Sequence, residues 1–453
     1  MIRKFQQQDI DKILSLWLQA SLQAHDFVGA EYWHNMMPII KKYYLPNTDS
    51  YVFEDKRQIK GFISIIDDKY IGALFVMPKY QRMKIGSKLL NFAKKLYPEL
   101  SLKVFLKNEN AVLPLKKEVR IALAGPFKQE RRALLGSWVL DGKEEETPNL
   151  REALEAALQG RSGTVICNAE DLADEAAEKV FAQSDVILLA LGESHMVSGE
   201  RHSLANIDLP ESQVALARKA HNTGKPVIGV IFSGRPLALQ VVEPYLDGIL
   251  CAWHCGSATA NAAADILLGN VNPSGRSAVS FVKTTGHIPL YYNCYPSALG
   301  NNGYYGQRPE DCYLDIPARP MYPFGFGLSY TDFAVSPICC ERRELTLEDI
   351  KAGVDFALSV TVTNTGSREG KQTLQLYIRD RIASQIRPLR ELKGFEKVSL
   401  KAGEERSVCF RLGYRQLGFY QNDGTYCVEP GDFDIFIGDN CLTENKISLR
   451  ILP

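Results

Sequence analysis

The chain has 453 residues, 45% of them hydrophobic and 23% charged, and its 53 Lys plus Arg balance its 53 Asp plus Glu. That length exceeds one ordinary core and suggests about three domains, while the composition is that of a globular chain rather than a disordered one. Zero net charge gives no broad pull toward nucleic acid or anionic membrane, and no run of about 20 apolar residues offers a membrane span.

Met1 leads into the polar Ile2-Arg3-Lys4-Phe5-Gln6 with no apolar signal core, so a cytoplasmic protein with mostly reduced thiols is expected. In the first segment, to about Glu109, Ile10, Ile13, Leu14 and Trp17 recur at helical spacing. Apolar-rich strands are predicted over residues 50–54, 59–66 and 70–77, the last stopped by Pro78. A helix over residues 85–96 and a strand over 102–106 complete this segment.

The second segment, from about Val112 to Phe281, alternates buried-type strands (119–125, 184–192 and 226–232) with helical patterns (150–158, 213–221 and 259–268). Continuous apolar strands separated by helices predict a mainly parallel α/β sheet covered on both faces. Ligands usually bind at the C-terminal ends of such strands. Within Cys251-Ala252-Trp253-His254-Cys255 the spacing is not that of a zinc knuckle, so no metal is expected and the thiols read as buried at a strand end. Residues 286–345 are rich in aromatics, Gly and Pro; so apolar a connection is expected to lie against the domains it joins. From about Thr346 the period shifts to β-rich runs (356–364, 373–378, 407–412 and 431–438), which predicts a small all-β sandwich over residues 346–453.

Several stretches carry a resemblance. Asn108 to Leu115, then Trp253 through Asn261-Ala262-Ala263-Ala264-Asp265 and Asn272-Pro273-Ser274-Gly275-Arg276 are similar, in order, to the C-terminal α/β domain of family 3 glycoside hydrolases over residues 110–285, and Tyr322-Pro323-Phe324-Gly325-Phe326-Gly327 resembles that family's approach to its next domain. Leu392-Lys393-Gly394-Phe395-Glu396-Lys397-Val398 and Glu429-Pro430-Gly431 resemble the fibronectin type III-like domain that follows it. Leu204, Cys255, Ala258 and Ala260 depart from the family pattern.

The resemblance implies a retaining β-glycosidase of the β-glucosidase type, whose chemistry needs two carboxyls about 5 Å apart. The family's nucleophile lies on an N-terminal (β/α)₈ barrel. Its acid/base is often a Glu on a loop that Gly192-Glu193-Ser194-His195-Met196-Val197-Ser198-Gly199-Glu200-Arg201 resembles, which makes Glu200 the candidate general acid/base. His195 and His202 beside it are candidate substrate-binding residues. A barrel needs about 250 residues, so the nucleophile is expected outside this chain, on a separate barrel chain as partner. No cofactor is expected for this reaction.

The first segment resembles instead the GNAT N-acetyltransferases, cut short at about residue 109. Gln81-Arg82-Met83-Lys84-Ile85-Gly86-Ser87 is similar to their acetyl-CoA loop, where backbone N–H groups and a helix N-terminus cradle the pyrophosphate. Gln81, Arg82, Lys84, Gly86 and Ser87 are the candidate acetyl-CoA-binding residues, with Lys84 where the family has Gly. Pro114 and Leu115 stand where the family's Phe-Tyr would be, and residues 104–115 fit the end of either family. Beside the glycosidase reading stand a GNAT-type N-acyltransferase using acetyl-CoA, a non-catalytic carbohydrate-binding module and a gene-fusion product.

Overall fold

The computed structural model describes residues 2–24, 30–41, 45, 48–55, 58–66, 70–80, 85, 89, 92, 101–102, 112–116, 118–137, 139, 142–159, 165–168, 175–296, 304–305 and 313–453. The chain divides into two compact units, Met1–Lys107 and Asn108–Pro453.

In the first unit, strands β1 (Ile2–Lys4), β2 (Asp49–Asp55), β3 (Gln58–Ile66), β4 (Tyr70–Val76) and β5 (Ser101–Leu102) form one sheet in chain order. The first four pair antiparallel, and β5 joins β4 in parallel. Side chains alternate across a strand. Val52 and Phe62 accordingly pack with Ile13, Leu14 and Trp17 of helix α1 (Ile10–Ala24), whereas Tyr51 and Ile63 pack with Ile85 and Leu89. Helix α2 (Ala30–Ile39), not foreseen from the sequence, sets Trp33 edge-on to Trp17, with ring centroids 5.5 Å apart. A half-buried ion-pair cluster ties the sheet's edge down: Arg3 donates to Asp9 at 2.7 Å and to Glu54 at 2.7 Å, holding the Asp9 carboxyl below the usual carboxylate range.

The second unit opens with a parallel sheet ordered β10-β9-β8-β6-β7, built from β6 (Arg120–Ala124), β7 (Val165–Asn168), β8 (Val186–Gly192), β9 (Val227–Phe232) and β10 (Gly248–Cys251). Helices α3 (Leu150–Ala157) and α6 (Thr259–Leu267) cover one face through Leu150, Leu154, Ala263 and Leu267. On the other lie α4 (Glu175–Gln183) and α5 (Glu211–His221), through Phe181, Val214 and Ala217. Every residue of β8 and β9 is buried, as their unbroken apolar runs require. Helix α3 begins where Asn149 caps Glu152 N–H at 3.0 Å and Glu152 returns the bond at 3.2 Å. Leu115 N–H donates to Leu267 O at 2.8 Å and its side chain is buried in this core, so residues 112–115 belong to the α/β layer.

The sandwich packs sheet β11-β13-β16 against sheet β12-β20-β19-β14-β15 around Phe356, Val360, Leu376 and Ile435. Its strands are β11 (Phe333–Val335), β12 (Glu344–Thr346), β13 (Phe356–Asn364), β14 (Gly370–Asp380), β15 (Glu391–Leu400), β16 (Glu405–Leu412), β19 (Gly431–Gly438) and β20 (Lys446–Leu452), with β17 (Phe419–Tyr420) and β18 (Tyr426–Cys427) as a short hairpin. It therefore begins at Phe333, earlier than the change of period at Thr346 indicated. The connection is packed on both neighbours. Phe281 N–H bonds Tyr322 O and Cys441 N–H bonds Phe324 O, while Tyr292 stacks on Phe324 at 4.0 Å. The α/β layers and the β-sandwich are those expected from the sequence.

Candidate active site

In the order β10-β9-β8-β6-β7 the chain runs from β6 outward to β7, then returns to place β8 on the other side of β6. The crevice beyond the C-terminal ends of β6 and β8 is thus the switch point where such sheets bind ligands. The segment with both loop glutamates leaves β8 there.

The exit is made by Gly192, at φ +143°, where a Cβ would lie 1.8 Å from Phe232 O. Gln213 of α5 pairs with both of its backbone groups, accepting from Gly192 N–H at 2.8 Å and donating to its carbonyl at 2.9 Å. Beyond this point the two glutamates part company. Glu193 is buried, and its Oε1 accepts from Gly234 N–H (3.2 Å) and Arg235 Nε (3.1 Å) and lies 3.1 Å from Ser233 Oγ. Glu200 is exposed at the tip of a turn. That turn is closed by His202 N–H donating to Gly199 O at 3.2 Å, with Gly199 at φ +100° and Arg201 at φ +64°. An anchored carboxylate is poorly placed to exchange protons with a ligand; one at a solvent-facing tip is free to do so.

His195 is half-buried in a short turn, its Nδ1 without a hydrogen-bond partner, and its carbonyl accepts from Ser137 Oγ at 3.1 Å. His202 is exposed and folds its Nδ1 back to Ser198 O at 3.3 Å, leaving only the far edge of the ring for a ligand. His254, on the loop after β10, places Nε2 3.2 Å from Glu193 O, and burial holds its imidazole below the usual range. Glu193, Ser233, Arg235 and His254 were not singled out in the sequence. The available signal was positional: Glu193 and Ser233-Gly234-Arg235 each directly follow an unbroken apolar strand.

Cys251 ends β10, and burial pushes its thiol up to about 12, but Cys255 is exposed, contrary to the buried pair expected. Ala252 and Trp253 still bond Ile231 O of β9, and the chain turns at Trp253, φ +57°, two residues before Cys255. Among the described residues no group of three His, Cys, Asp or Glu side chains is placed to hold a metal ion. Gln81, Arg82, Lys84, Gly86 and Ser87 lie outside the described residues, so the cradle acetyl-CoA would need has no described geometry. Ile85 and Leu89, from the same stretch, are buried against the sheet.

A family model described as the glycosyl hydrolase family 3 C-terminal domain matches residues 103–330, half of the chain. The chain belongs to glycosyl hydrolase family 3. Two further models match: a fibronectin type III-like domain over residues 372–441 and an acetyltransferase (GNAT) domain over residues 19–113. The GNAT and glycosyl hydrolase matches overlap across residues 103–113.

Among relatives, a periplasmic β-glucosidase of Salmonella typhimurium is 35% identical over 375 residues, covering 77% of this chain and 48% of that protein. A β-xylosidase of Formosa agariphila is 34% identical, covering 74% and 46%. The crystal structure of a β-glucosidase from Listeria innocua in complex with glucose superposes with a TM-score of 0.70 at 34% identity, covering 83% of this chain and 51% of that one. The chain thus spans about half the length of the relatives it matches.

Proposed function

We propose that the second unit is the acid/base-bearing portion of a β-glycosidase of the β-glucosidase type, with Glu200 as general acid and base. The carboxylate that attacks the anomeric carbon is then supplied by a (β/α)₈ barrel outside these 453 residues. The observation that carries this reading is the division of labour between the loop carboxylates. Glu193 is buried and paired with Arg235, whereas Glu200 stands exposed at the switch point of the sheet.

In the first step Glu200 protonates the departing glycosidic oxygen while the barrel's carboxylate forms a covalent glycosyl intermediate. In the second, ionised Glu200 takes a proton from the water that displaces the sugar. A general acid in this family's chemistry works within a covered site, so the sugar and the barrel would have to close over Glu200 in the working complex. His195 and His202 flank the tip and would donate hydrogen bonds to sugar hydroxyls. The β-glucosidase and β-xylosidase relatives support a β-linked hexose or pentose as substrate.

The test mixes this chain with a separately produced barrel domain from a family 3 β-glucosidase and assays aryl β-glycosides. Turnover well above that of the barrel alone is expected; no gain would sink the reading. The GNAT match over residues 19–113 supports a second reading, in which the first unit binds acetyl-CoA. Calorimetry would detect that binding, and the absence of heat at millimolar ligand would count against it.

A further inference from the structure

We infer that Arg235 is the positioning residue that sets the pose of Glu200, with Glu193 as its buried anchor; the inference rests on the acid/base reading of Glu200. Arg235 lies just beyond β9, three residues after Phe232, and reaches across to the loop leaving β8. Its guanidinium does three things at once. Nε donates to Glu193 Oε1 at 3.1 Å, and Nη2 donates both to Val197 O and to His202 O, the latter at 2.9 Å. Val197 and His202 are the two feet of the turn that carries Glu200, so one cation ties the turn's entry and exit to a single point.

That point is itself fixed. Glu193 Oε1 also accepts from Gly234 N–H at 3.2 Å, which ties the carboxylate to the end of β9, where Ser233 Oγ donates to Arg235 O at 2.6 Å. From the β6 side, Ser137 Oγ lies 3.1 Å from His195 O and 2.5 Å from Ser198 O. Ser198 in turn fills the space over Gly234, where a Cβ would come 1.8 Å from its Oγ. Only a planar fork of donors meets a carboxylate and two divergent carbonyls together; a lysine ammonium carries the same charge at one point. Loss of the fork leaves those carbonyls without their donor, and the turn relaxes toward solvent.

A salt bridge that merely stabilised the fold would be satisfied by the charge alone, so the decisive variant is Arg235→Lys. Three readouts are taken on the whole chain. The thermal midpoint of Arg235→Lys should stay within a few degrees of wild type. Amide exchange in peptides covering residues 194–206 should rise, with residues 226–232 unchanged. Among the seven histidines, the imidazole resonances of His195 and His202 should move while those of His221 and His287 stay. In the barrel mixture kcat should fall by about 100-fold with KM nearly constant, as expected for a misplaced catalytic group.

Unchanged loop exchange and unchanged His195 and His202 resonances in Arg235→Lys would overturn the inference, as would a loosened loop with unaltered kcat. Should Arg235→Lys fail to fold, Glu193→Asp, which keeps the charge and draws the anchoring carboxylate back by one methylene from Arg235, carries the same expectations. Glu200→Gln separates the two ideas. If it leaves turnover intact, the acid/base reading fails and the positioning role with it, while exchange still reports whether Arg235 holds the turn.

Discussion

Two glutamates seven residues apart differ in their surroundings: Glu193 is buried and accepts from Arg235, whereas Glu200 is exposed. Sequence reasoning reached Glu200 through the resemblance of its loop and passed over Glu193, because a Gly-Glu pair carries no sign of which carboxylate will be anchored. Arg235, the residue that tells them apart, is distant in sequence and meets Glu193 only because β8 and β9 are neighbours in the sheet. The sandwich offers a separate residue-scale test. Asp380, at the end of β14, is buried with Oδ1 lacking a hydrogen-bond partner. Burial pushes its carboxyl up to about 6 despite the nearby Arg387. The folded value exceeds the unfolded one, so the group favours the fold at pH below about 4 and loses that contribution as pH rises through about 6. Asp380→Asn should therefore match wild type in urea at pH 4 and exceed it by about 2 kcal/mol at pH 7.5. An equal offset at both pH values would contradict the assignment.

At the scale of elements, strands and helices with a long, uniform pattern were legible and short ones were not. Val186–Gly192 and Val227–Phe232 are unbroken apolar runs that demand burial on both faces. Val165–Asn168 and Gly248–Cys251 have four residues each, too few for either period to declare itself, and emerge only through parallel pairing with longer neighbours. Thr346 reads in sequence as the onset of the sandwich, whereas in three dimensions β11 already pairs with β13 from Phe333 onward. The β8-to-loop junction shows how tightly an element end is specified. Gly192→Ala would drive a methyl into Phe232 O at a positive φ, and should destabilise the second unit by at least ~2 kcal/mol. A chemical-denaturation midpoint equal to that of wild type would show that the strand end yields freely.

At the scale of the second unit, the connection makes the α/β layer and the sandwich one cooperative body. Gln375 of β14 donates to Gly325 O at 3.0 Å, Arg276 donates to Gln372 Oε1 at 2.5 Å, and Asn272 reaches Glu369 O at 2.9 Å. Tyr304, Tyr377, Phe436 and Cys441 share a buried cluster between connection and sandwich. Residues 108–453 produced alone should show a single calorimetric transition; two well-separated transitions would mean that the connection does not couple them. The aromatic, Gly- and Pro-rich composition of residues 286–345 had implied this docking, but not which carbonyls it would satisfy. The chemistry proposed for the unit depends on Glu200 acting on a leaving group, and that dependence has a direct measurement. In the mixture with a barrel domain, Glu200→Gln is compared with wild type on a β-glucoside with a poor leaving group and on a dinitrophenyl β-glucoside, which needs little protonic assistance. General acid catalysis at Glu200 requires a loss of about 10²–10⁴-fold on the first and a far smaller loss in the bond-breaking step on the second; equal rates for wild type and variant on both would contradict it.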